Sequence, residues 1–117
     1  MQTVLIPLSI QVLRPQGCLN AVTAPDFQEQ LTSALAVPGS AGVLVDFEQI
    51  ESLDTAGLMV LVSALRLANS LERRFSLCSV SASIRIIFEL SRLDQVFEIF
   101  DDYDQFKGTL SSPQNLS

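Results

Sequence analysis

Hydrophobic positions along this chain change period several times. "PLSIQVLRPQGCLN" opens with alternating and then mixed apolar residues, reads as a strand, and turns at Pro15-Gln16-Gly17. Cys18 and Leu19 extend into a short second strand. In "TAPDFQEQLTSALAV", Phe27, Leu31 and Ala34 or Leu35 recur at helical spacing, leaving Gln28, Gln30 and Thr32 for water. Thr23 is placed as its cap, Pro25 falls in the first turn, and Pro38-Gly39 ends it. "GVLVDF" is a short continuous apolar run, the mark of a strand covered on both faces.

The next segment, "LMVLVSALRLANSL", is apolar around most of a helix. Its polar exceptions Ser63, Arg66, Asn69 and Ser70 gather on one narrow stripe with Met59. "RFSLCSV" is a further strand. Ser81 then caps "ASIRIIFELSRL", where Ile84, Ile87 and Phe88 form an apolar face. "VFEIF" is a last short strand, and Asp101 or Asp102 opens a helix through "YDQFKGTL". Strands alternating with helices predict an α/β fold with a small mixed, largely parallel sheet. The hairpin-like first segment would supply an antiparallel edge. Residues 1–110 read as a single domain and 111–117 as a flexible tail.

Composition narrows the function. The 117 residues are 48% hydrophobic and 17% charged, with a net charge of −6, which suits a folded globular protein with an acidic surface. Seven basic residues against thirteen acidic ones supply no basic face, so direct nucleic-acid binding is not expected. No apolar stretch approaches the roughly 20 residues of a membrane span, and "MQTVLIPL" lacks a charged leader region, so neither membrane insertion nor secretion is expected. Cys18 and Cys78 have no metal-like spacing and read as reduced core or near-core residues of a cytoplasmic protein. The chain has no histidine, which removes Ser-His-Asp and Cys-His catalysis and histidine-ligated metals. No cofactor is expected. Asp46, Glu48, Glu51 and Asp54 are the carboxylates open to acid–base work, but they read more simply as a solvated strand end and a helix cap.

The candidate chemistry lies in "LDTAGL", Leu53 to Leu58, where strand gives way to helix. Asp54 and Thr55 are both good N-cap residues. Ala56 and Gly57 would leave the first amides uncovered, open to an anion or a docking protein. A phosphate on Thr55 would add about −1.5 to −2 charges at the positive end of the helix dipole, beside a repelling Asp54. Local chemistry alone fits plain capping as well, with Gly57 allowing tight helix–sheet packing.

From about Ile10 to Leu110 the order of segments around "VLVDFEQIESLDTAGLMVLVSALRLA" and "FSLCSVSASIRIIFELSRLDQVFEIFDDYDQF" resembles the STAS domain. That family includes bacterial anti-sigma factor antagonists and cytosolic domains of sulfate transporters. The resemblance implies a small sheet with a helical layer mainly on one side and a non-enzymatic binding module. Such a module acts by partner switching with a kinase-type anti-sigma factor or related serine kinase, with a phosphatase as a further partner. The usual motif is Asp-Ser-Ser-Gly or Asp-Ser-Thr-Gly, with the phosphoacceptor next to Gly; here that position is Ala56, and Thr55 matches the preceding hydroxyl. Asn20, in "GCLN", stands where an acidic residue is often found. The implied contact set is Asn20, Asp54, Thr55, Ala56, Gly57, Met59 and Ser63, with Thr55 as the candidate phosphoacceptor. The resemblance also admits a STAS subunit that binds the ATPase of a lipid-type ABC transporter.

Overall fold

A computed structural model describes residues 9–110. The segments 1–8 and 111–117, including the expected tail, lie outside the described residues. In chain order the elements are β1 (Ser9–Leu13), β2 (Gly17–Leu19), α1 (Ala24–Ala36), β3 (Ser40–Asp46), β4 (Ile50–Leu53), α2 (Thr55–Ser70), β5 (Arg74–Cys78), α3 (Ala82–Leu90), a 3₁₀ turn (Leu93–Gln95), β6 (Glu98–Phe100) and α4 (Tyr103–Leu110). The strands form a four-stranded sheet of order β1-β3-β5-β6 and a separate two-stranded sheet of β2 and β4.

Every strand pair among the described residues is parallel, so the expected antiparallel edge is absent. Pro15-Gln16-Gly17 does not close a hairpin. Gly17 takes a positive φ of 82° and hands the chain from one sheet to the other, its N–H donating to the Gln49 carbonyl at 3.0 Å. β1 then pairs with β3 across the α1 crossover, and β2 with β4.

β3 alternates within a fully buried run. Val43 and Val45 join Phe75 and Leu77 of β5 in the main core, under Leu31 and Leu35 of α1 and Val60, Leu61 and Ala64 of α2. Phe88 of α3 sits edge-on to both Phe47 and Phe97 in that core. On the other sheet face, Leu44 and Cys78 pack against Phe106 of α4. Two covered faces account for the unbroken apolar run of "GVLVD". Burial, reinforced by the neighbouring Asp46 carboxylate, pushes the Cys78 thiol up, so this residue acts as a small apolar filler. Cys18 differs from its expected place: alternation in β2 turns Leu19 inward and leaves Cys18 exposed.

The α4 face also holds two polar anchors. Asp46, expected as a solvated strand end, is buried; its Oδ2 accepts from Arg14 Nε at 3.2 Å and its Oδ1 from the Glu48 N–H at 2.9 Å. Arg74 forms a bidentate pair with Glu98, at 2.7 and 2.9 Å, and lies over the Phe106 ring at 4.8 Å from its centroid. Its Nη1 donates to Thr109 Oγ1 at 2.9 Å, so one guanidinium ties β5, β6 and α4 together.

Caps mark the helix ends. Ser81 Oγ accepts from the Ile84 N–H, and Asp102 Oδ1 accepts from the Gln105 N–H at 2.8 Å, as expected for α3 and α4. Thr23 sits at the N-cap of α1, but its hydroxyl instead donates to the Cys18 carbonyl at 2.8 Å. At the far end of α1, Arg73 Nη1 donates to the carbonyls of Leu35 and Val37, placing a cation on the negative pole of the helix.

Two outcomes follow from these contacts. Arg73→Ala should cost about 1–2 kcal/mol in urea unfolding, because it strips two charge-assisted bonds from helix-terminal carbonyls. The hydrogen bond from Arg74, with help from Ser76, holds the Glu98 carboxyl below the usual range against an opposing burial effect. A depressed native pKa adds stability above the unfolded carboxylate value of about 4.3, lost as pH falls through the native value. Unfolding midpoints of wild type and Glu98→Gln should therefore differ at pH 7 and draw together as pH falls below the unfolded carboxylate value. The gap should be modest, as the Glu98 side chain is 44% exposed.

Candidate functional site

The two-stranded sheet determines what happens at "LDTAGL". β2 and β4 are parallel, so their carboxyl ends point the same way. From one end the chain enters the Asn20–Thr23 turn and then α1; from the other it enters Asp54 and then α2. Two loops that are distant in sequence thereby emerge side by side, the usual place for a site in parallel α/β folds. The seam is a hydrogen bond of 3.0 Å from the Asp54 N–H to the Leu19 carbonyl.

Asp54 is the N-cap of α2, in an extended conformation, and its Oδ1 accepts from the Gly57 N–H at 3.1 Å. Its carbonyl accepts from the Leu58 N–H at 2.9 Å. Asp54 and Thr55 are exposed and Ala56 is half-buried. Gly57 departs from its expected role, for it is buried and offers no surface to a partner. A Cβ built there would lie 2.7 Å from the Leu19 carbonyl oxygen, 2.8 Å from Leu19 Cβ and 2.8 Å from Leu53 Cδ1. Glycine is needed because the helix starts against the backbone of β2. With its amide held by Asp54, Gly57 does not contribute to an uncovered anion cradle. That reading shrinks to the amides of Thr55 and Ala56.

Thr55, Met59 and Ser63 recur at intervals of four and share one helix face. Met59 is 51% exposed, and Ser63 and Arg66 are exposed beyond it. Asn20 is half-buried, and its Oδ1 accepts from the N–H groups of Val22 and Thr23 at 2.9 and 3.1 Å. It shapes the turn beside the motif, and its side-chain oxygen is committed there. That turn pushes out Val22, an 86% exposed apolar residue not singled out from the sequence. Its signal was a large apolar residue inside a turn, "NAVT", where a polar one is usual.

A shallow cleft of about 110 Å³ between α1 and α2 has Ser63 on its rim and Leu31, Val60, Ala64 and Leu67 in its floor. A second, of about 190 Å³, lies between the β1–β2 loop and α1. Both fall below the roughly 300 Å³ at which small-molecule sites begin. Among the described residues no three acidic or cysteine side chains converge as metal ligands. Asp46 is buried and paired with Arg14, whereas Glu48, Glu51 and Asp54 are exposed. No helix among the described residues is long and apolar enough to cross a membrane.

The fold that carries this helix start has counterparts among known proteins. The chain belongs to the STAS domain family, whose model matches residues 3–106. The anti-sigma-B factor antagonist of Staphylococcus aureus is 26% identical over 83 residues, covering 71% of this chain and 76% of the relative. The anti-sigma factor antagonist SpoIIAA in its unphosphorylated form superposes with a TM-score of 0.67 over 98% of each chain, at 16% identity. A sulfate transporter family protein from Wolinella succinogenes gives a TM-score of 0.75 at 13% identity, covering 92% of this chain and 89% of that one. The fold is thus that of the anti-sigma factor antagonists, shared with a sulfate transporter family protein.

Gly57→Ala separates packing from surface chemistry. Alanine would gain about 1 kcal/mol of helix propensity, yet overpacking against a rigid carbonyl costs about 1–3 kcal/mol. A net loss in chemical denaturation is expected.

Proposed function

We propose that this domain is a non-enzymatic binding module of the antagonist type, engaging an anti-sigma factor or related serine kinase through the start of α2. The supporting observation is the outward presentation of Asp54, Thr55 and Ala56, continuous with Met59 and Ser63 along one helix face. Asn20 holds the adjoining turn, and exposed Val22 lengthens the apolar part of the footprint. A fixed carboxylate gives a partner one charged contact, and Met59 gives it an adaptable apolar one. An exposed Thr55 is accessible to a kinase. A phosphate there would abut the Asp54 carboxylate and block the surface by bulk and charge, without refolding the helix.

Ala56 favours a second reading. With no hydroxyl at the usual acceptor, the domain would also suit constitutive binding, as a STAS subunit on the ATPase of a lipid-type ABC transporter. Recovery of the tagged protein from its own cells, with mass measurement of bait and partner, distinguishes the two. A soluble kinase-fold partner and a bait heavier by one phosphate on Thr55 support switching. A membrane ATPase and an unmodified bait support the subunit reading.

Asp54→Asn keeps the cap, since Asn caps as well as Asp, and removes the charge. Met59→Glu alters only an exposed position. Each should lower partner affinity at least tenfold while moving unfolding stability by less than about 0.5 kcal/mol. Wild-type affinity in both variants would remove α2 from the interface.

A further inference from the structure

α3 carries an apolar face that the core does not use. Ile84 and Phe88 point inward, while Ile86 is 51% and Leu90 82% exposed. At about 100° per residue, Ala82, Ile86 and Leu90 fall on one outward stripe, with Ser83 on one flank and Arg85 and Glu89 on the other. Val96, 55% exposed, follows the 3₁₀ turn that packs against α3. Neither Arg85 nor Glu89 makes an ion pair or side-chain hydrogen bond with another described residue. In a chain of net charge −6, this segment is balanced, with Arg85 and Arg92 against Glu89 and Asp94.

We infer that this face binds a second copy of the same chain, α3 packing antiparallel on α3 about a two-fold axis near Ile86. The axis sets Ile86 against Ile86 of the second copy and Leu90 against its Ala82. A two-fold of this kind keeps like flanks together, so the Arg85–Glu89 edges of both helices meet. With a rise of about 1.5 Å per residue, Arg85 of one copy lies within about 3 Å, along the axis, of Glu89 of the other. Two symmetric ion pairs then border an apolar seam, and the interface is self-complementary, as a two-fold contact requires. A foreign acidic or basic helix would satisfy only one of the two charges. The seam is short: one helix of nine residues covers far less than the roughly 800 Å² per partner of a standard stable interface. Association is therefore weak and concentration-dependent. It engages α3 rather than α2, and would double the number of α2 surfaces offered to a partner.

Sedimentation equilibrium of the full chain, from about 10 μM to about 1 mM, reads the association, and circular dichroism melting verifies folding. Wild type should move from monomer toward dimer across that range, and Ile86→Asp should weaken association at least tenfold. Arg85→Glu and Glu89→Arg should each be monomeric alone and form a heterodimer when mixed, because each then supplies both charges the other lacks. General attraction cannot imitate this, as both variants stay net negative. A wild type monomeric throughout, an Ile86→Asp variant that associates like wild type, or a mixture no more associated than its components would each overturn the inference. Capture of a foreign helix by a monomeric protein would overturn it as well.

Discussion

The contact between the Leu19 carbonyl and the start of α2 constrains everything around it. One oxygen accepts the Asp54 N–H at 3.0 Å and lies where any side chain at position 57 would have to go. A residue larger than glycine at position 57 would force the helix start away from β2, so glycine fixes the first turn relative to that strand. The Asp54 carboxylate completes the arrangement by holding the Gly57 amide. Cap, glycine and small sheet together present Asp54, Thr55 and Ala56 outward on a rigid base, so little ordering entropy remains to be lost on binding.

Long periodic segments were legible in the sequence. α1, α2 and α3 lie where apolar spacing puts them, and β3 is the doubly covered strand that "GVLVDF" suggests. β4 was not foreseen. In "IESL" only the end residues Ile50 and Leu53 are buried, which breaks the alternation that identifies a strand. Its identity depends on pairing with β2, a partner some thirty residues away. The false hairpin has the same origin: Pro15-Gln16-Gly17 is good turn chemistry, but turn chemistry does not say which strand the chain meets next. The candidate site was readable as a motif and not as a surface. That Gly57 is covered, that Asn20 spends its oxygen on a turn, and that Val22 projects beside them all follow from β2–β4 pairing.

The opposite face of the large sheet obeys different physics. Asp46 and Arg74 sit among apolar side chains and are satisfied by Arg14, by Glu98 and by aromatic rings of α4. Pairs of this kind add little net stability compared with apolar packing, but they require one arrangement of partners, so they orient α4 on the sheet. The polar anchors of α4 and the candidate site at the start of α2 thus lie on different parts of the fold.

One consequence concerns how such a surface can diversify. The steric constraint at position 57 falls on a buried residue, whereas Thr55 and Ala56 make none of the contacts that fix the helix start. Exposed Thr55 and half-buried Ala56 can be exchanged for other small or polar residues at little cost to the scaffold. Specificity is free to drift while the frame beneath it stands still.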